Sequence, residues 1–220
     1  MADKLLTGLV TGPNLFSYIG ALSLQDHDDI ADCTNIATLS ADLGYLRHAN
    51  PRDWFGEYVN TLNFLGWGLY DGSVFESTQH LLSGSVAEFL VRSADAMRDS
   101  RQANAMIDTL DTFKANNPAL LSFDTETLQG ESFQIVPARY DSQGNLHVAL
   151  FKLELSVNVK RSSFLFWNWE NRTARVIQRK AYLRLDRSRL DTRRELIRKK
   201  LDEQLMRRFA LRSNRRISGQ

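Results

Sequence analysis

The chain has 220 residues, 43% hydrophobic and 25% charged, the composition of a globular protein able to bury a sizeable core. Its only cysteine, Cys33, excludes an internal disulfide framework, and no apolar run approaches the roughly 20 residues of a membrane-spanning helix. The net charge of +2 conceals a division: residues 1–150 carry 8 Lys+Arg against 19 Asp+Glu, and residues 151–220 carry 20 against 7, so the two parts stand at −11 and +13.

Lys4 precedes a short apolar run, but Gly12-Pro13 breaks it and no small-residue cleavage site follows. The expectation is therefore a cytoplasmic protein, or one exported without a cleavable leader. Asp26-His27-Asp28-Asp29 opens a helix carrying Ile30, Cys33, Ile36 and Ala37 at helical spacing. Acids at a helix start meet its positive end, which accounts for this cluster better than a bound cation does. After Asn50-Pro51, a second helix carries Trp54, Tyr58, Leu62 and Leu65, and Gly66-Trp67-Gly68 ends it. Asp71-Gly72 marks a turn between two short strands. Ser83 or Ser85 caps a third helix with Val86, Phe89, Leu90, Ala94 and Met97 on one face. A fourth carries Ala103, Met106, Ile107, Leu110 and Phe113 until Asn116-Asn117-Pro118 stops it.

Beyond Gly130 the hydrophobic period falls from 3.6 to 2. Phe133 and Ile135 alternate with polar neighbours, and Asp141-Ser142-Gln143-Gly144 is a turn. Ala149, Phe151, Leu153, Leu155, Val157 and Val159 form one face of a long strand. Lys152, Glu154, Ser156, Asn158 and Lys160 form the other, which predicts a sheet dry on one side and largely wet on the other. Phe164–Trp169 and residues 173–185 read as further strands. Asp186 or Ser188 then caps a final basic helix of about 22 residues, with Leu190, Ile197, Leu201, Leu205 and Phe209 along one stripe.

The fold expected is α+β: a helical, acidic part (residues 1–130) packed on a three- to four-stranded antiparallel meander, with the long basic helix lying across it. No linker divides the chain, so residues 1–220 read as one compact unit.

Segregated charge points to a surface that meets an anion. The candidate basic residues are Arg175, Arg179, Arg193, Arg194, Arg198, Lys199 and Lys200. The aromatic run supplies Phe164, Phe166, Trp167 and Trp169 as interface anchors, against a default reading as core. Candidate counter-charges are Asp26, Asp28, Asp29, Asp108 and Asp111. The leading expectation is a non-enzymatic interaction protein, a self-assembling subunit or partner of another protein, in which the acidic part of one copy meets the basic part of the next. The alternative is a membrane-directed effector or toxin-like virulence factor that meets an anionic lipid surface. Nucleic-acid binding ranks third, because no zinc finger, glycine-rich phosphate loop or RNA-binding aromatic motif supports it. No phosphate-binding loop, dinucleotide fingerprint, nucleophile elbow or zinc-binding helix occurs, so neither an enzyme nor a metal or cofactor is expected.

Overall fold

The computed structural model describes residues 8–20, 22–70, 74–81, 84–95, 100–127, 131–156, 164–167 and 174–203. Several helices start where the sequence supplies a side-chain partner for a free N–H group. Ser23 caps α1 (Leu24–Gly44): its Oγ accepts from the Asp26 N–H at 3.1 Å and its hydroxyl donates to the Asp26 carboxylate at 2.8 Å. Pro51 opens α2 (Pro51–Phe64), where a missing N–H costs nothing. Ser85 accepts from the Glu88 N–H ahead of α3 (Val86–Asp95). α4 spans Ser100–Lys114.

Asn116 does more than stop α4. Its Oδ1 accepts from the Ala119 N–H and starts α5 (Asn117–Glu126), which the sequence reading missed. Only Leu120, Phe123 and Asp124 of this helix are buried, too few to set up a periodic stripe. Asp186 caps α6 (Arg187–Asp191) by accepting from the Arg189 N–H. A turn at 192–193 then separates α6 from α7 (194–203), so the single long helix expected there is broken.

The sheet is mixed and has seven strands among the described residues. β5 (Phe133–Tyr140), β6 (Leu146–Ser156) and β7 (Ala174–Leu185) are the expected antiparallel neighbours. The first half of the chain supplies four more, so it is not purely a helical layer. β1 (Gly8–Thr11) and β2 (Asn14–Tyr18) form a hairpin, and β2 runs parallel to β5. β3 (Trp67–Leu69) and β4 (Phe75–Leu81), the short strands on either side of Asp71-Gly72, both pair with β7.

Helices cover both faces of this α+β sheet. Val136, Ala138, Val148, Leu150, Ala181 and Leu183 pack with α1 and α2 through Ile30, Cys33, Ala37, Trp54, Tyr58 and Leu62. The alternate residues, Ile135, Ala149, Phe151, Leu153 and Leu155, pack with α3, α4 and α5 through Phe89, Met106, Leu110 and Phe123. The wet sheet face expected from Lys152 and Glu154 is therefore corrected: among its described residues Lys152 is fully buried, Glu154 half-buried and Ser156 exposed. Alternation correctly separated the two faces, but the helices decide which face meets water. Phe164–Phe166 forms a short 3-10 turn instead of a strand, with Phe164 and Leu165 buried in the second core. Residues 157–160, 168–173 and 204–220, on which other strand and helix expectations fell, lie outside the described residues.

Candidate functional site

The opposite charges of the two halves meet within the chain. Arg187 of α6 donates to Asp26 of α1 through both terminal guanidinium nitrogens, Nη1 and Nη2, at 2.6 and 3.1 Å. One turn along α1, Asp29 receives Arg194 of α7, Nη2 to Oδ2 at 2.9 Å and Nη1 to Oδ1. Arg194 also donates to Asp191 at 2.7 Å. One further turn along, Asp32 faces the field of Arg198. The ion pairs 26/187 and 29/194, and then Asp32 and Arg198 lining one cleft, run in the same order on both segments. Burial, the largest influence on Asp26, works against ionisation; donors from Arg187, Tyr140 and Ser23 outweigh it and hold the carboxyl below its ordinary value. Burial and the nearby Asp28 and Asp29 push Asp32 upward, and Arg198 opposes them.

Beside this line lies an apolar groove of about 590 Å³ between α1, α2 and α7. Ile36, Leu39 and Leu43 line it from α1, Phe64 and Leu65 from the end of α2, and Leu196 and Ile197 from α7. Its rim is unusually wet for such residues: Leu43 is 86% exposed, Phe64 44% and Leu196 38%. Leu24, at the start of α1, and Leu46, just past its end, are exposed as well. Arg193 lies over the Phe64 ring at 4.4 Å, and Lys200 stands at the groove wall, paired to Glu203 at 3.3 Å. Ile197 lines both this groove and a charged cleft on its other side, which holds Asp28, Asp29, Asp32, Cys33, Arg194 and Arg198. α7 is thus wedged between an oily space and an ionic one.

A second polar feature crosses the sheet under α2. Asn14, Gln134, Lys152, Arg179 and Glu76 are register partners on five adjacent strands. Lys152 donates to Ser132 Oγ and sits 4.9 Å from the Trp54 ring. Burial pushes its amine down to about 8, Glu154 opposes this, and Arg179 adds to it. Arg179 is buried between Glu154 and Glu76, its Nε 2.7 Å from the Glu76 carboxylate.

Similarity to proteins of known structure is distant. No protein-family model and no curated protein matches the chain. Among solved structures, it is similar to the activated Cyt2Ba monomer from Bacillus thuringiensis subsp. israelensis, with 14% identity, 79% of this chain and 96% of that chain covered, and a TM-score of 0.45. A delta-endotoxin aligns at 14% identity over 84% of this chain and 87% of its own, with a TM-score of 0.43. The Evf virulence factor aligns at 10% identity over 92% and 84%, with a TM-score of 0.33.

The structure divides the candidate residues. Arg179, Arg194, Asp26 and Asp29 are engaged inside the chain, and three of the four are buried. Arg175, Arg198, Lys199, Asp28, Asp108 and Asp111 are exposed. Among the aromatics Phe164 is core, Phe166 and Trp167 are half-buried, Phe166 lies near Lys114, and Trp169 is outside the described residues. Sequence reasoning missed the groove and the buried Lys152. Leu39, Leu43 and Leu46 follow Ile36 at intervals of three, four and three, a signal that was present but indistinguishable from core. Cys33 is a fully buried thiol, as its place on the apolar side of α1 implied, and burial pushes it up to about 12.

Proposed function

We propose that the protein is a non-enzymatic, membrane-directed effector whose α1–α2–α7 face engages an anionic lipid surface. One observation carries the reading: the groove between these helices is rimmed by exposed Leu43, Phe64 and Leu196, and the same helix α7 presents Arg198 and Lys199 to solvent. Apolar side chains for the acyl region, flanked by cations for the headgroups, are what interfacial attachment requires. After α7 the sequence adds five arginines and no acid over residues 204–220, which strengthens the electrostatic part. No described helix is long and apolar enough to cross a membrane, so the engagement proposed is at the surface. A delta-endotoxin and a virulence factor stand among the similar structures, but the reading rests on the groove and its charges.

Co-sedimentation with phosphatidylcholine vesicles, with and without phosphatidylglycerol, tests it. Binding to the anionic vesicles only, weakened by salt and by Leu43→Ser with Phe64→Ser, is the expected result. Equal recovery in the supernatant with both vesicle types at low salt would sink the reading.

A second reading, self-assembly, is favoured by where the remaining exposed charge sits. Arg198 and Lys199 belong to the helical layer on one face of the sheet, and Asp108 and Asp111 to α4 on the other. Opposite charge on opposite sides suits a head-to-tail contact between copies. Light scattering at low and high salt tests it: a particle larger than one chain that dissociates at high salt supports it, and a monomer at both salts excludes it.

A further inference from the structure

The layer that forms the groove is unevenly held. α1 and α2 bury many apolar side chains against the sheet: Ile30, Cys33, Ala37, Trp54, Tyr58 and Leu62 among them. Among the described residues, α6 and α7 place only Leu190 and Ile197 in that core, with Leu201 half-buried. Their bonds to α1 are ionic, Arg187 to Asp26 and Arg194 to Asp29, and Arg198 lines the same cleft as Asp32. The arginine side chains of this line are partly exposed, 48% for Arg187 and 26% for Arg194, so solvent and its anions reach them. Ile197 closes the wall between the apolar groove and the charged cleft, and Cys33, Asp29 and Asp32 line the cleft behind it.

From this arrangement we infer that α6–α7 is a displaceable strap. An anionic lipid surface competes with Asp29 and Asp32 for its arginines, lifts α7 from α1, and joins groove and cleft into one lipid-contacting face. The inference rests on the membrane reading above and adds its regulation. The charges explain why lipid is the trigger: groups that pair with carboxylates pair equally well with phosphates, and a lipid surface offers many at once. The geometry explains the consequence. Removing α7 takes Leu196 and Ile197 from the groove wall and opens Ile36 and Leu65 to the bilayer.

The test separates the strap from plain electrostatic adsorption. The double variant Asp29→Asn, Asp32→Asn weakens the line and keeps every cation. The control Asp108→Asn, Asp111→Asn removes the same two negative charges from exposed positions on α4. Hydrogen exchange of peptides covering 194–203 is measured in solution, and binding to phosphatidylglycerol-containing vesicles is titrated. For the strap variant, exchange about tenfold faster over 194–203 is expected, with α2 and β6 unchanged and half-maximal binding at severalfold less lipid; the control pair should shift both by less than about twofold. Faster exchange in α2 and β6 as well would mean general unfolding and would count against a strap. If the wild-type chain binds vesicles but the two pairs behave alike, the strap is wrong and the lipid reading stands. If neither wild type nor variant binds, both fall.

Discussion

Replacing Lys152 by methionine tests whether the buried polar row costs stability. Lys152 is fully buried on the sheet, with Ser132 Oγ and the Trp54 ring as its partners. Its amine falls to about 8 from the ordinary 10.5. At about 1.4 kcal/mol per pH unit, that difference corresponds to about 3 kcal/mol against the charged form in the fold. Below about 8 both folded and unfolded chains are protonated and the whole penalty is present. Between 8 and 10.5 the unfolded chain binds more protons, so stability rises with pH, and above 10.5 the penalty is gone. Methionine keeps the length and an aromatic contact but carries no charge. It leaves Ser132 without its donor, a loss of about 1 kcal/mol. Lys152→Met should therefore be about 2 kcal/mol more stable at pH 7, and this advantage should disappear as the pH passes 10.5. Urea unfolding at both pH values reads the difference directly. A variant less stable than wild type at pH 7, or a difference that does not change with pH, would show that Lys152 is not a destabilising cation.

Asp26→Asn should cost about 1–2 kcal/mol at neutral pH, because Asp26 accepts from Ser23, Tyr140 and Arg187. Its depressed carboxyl stabilises the fold above the ordinary carboxylate pKa, and that contribution is lost as the pH falls through its own lower value, so wild type and variant should converge in acid unfolding curves. Gly66→Ala should destabilise by about 2–3 kcal/mol in chemical unfolding: Gly66 has φ +108°, and a Cβ there would stand 3.0 Å from Asp186 O and Leu190 N. A loss below about 0.5 kcal/mol would mean that the α2–β3 link moves freely away from the start of α6.

Much of the fold was legible because it depends on neighbours in sequence. Ser85 and Asp186 mark helix starts whatever surrounds them, since the N–H groups they accept from lie within the same turn, and Pro51 marks one through its fixed φ. The β5–β6 hairpin is written in Asp141, which accepts from the Gln143 and Asn145 N–H groups and draws the chain into its turn. Alternation along β6 separated Ala149, Phe151 and Leu153 from Val148, Leu150 and Lys152. What alternation does not contain is how many faces the rest of the chain will cover, so Lys152 read as wet. The row Asn14–Gln134–Lys152–Arg179–Glu76 joins residues up to 165 positions apart, and only strand order aligns them.

The charge division was visible in the sequence by itself, since a count of residues needs no coordinates. Where those charges go was decided by the tertiary structure. Asp26 and Arg187 meet because α1 and α6 flank the same core, and that pairing turns two charged halves into one ionic line beside an apolar groove. Coulomb attraction acts on distance in space, and the fold sets that distance.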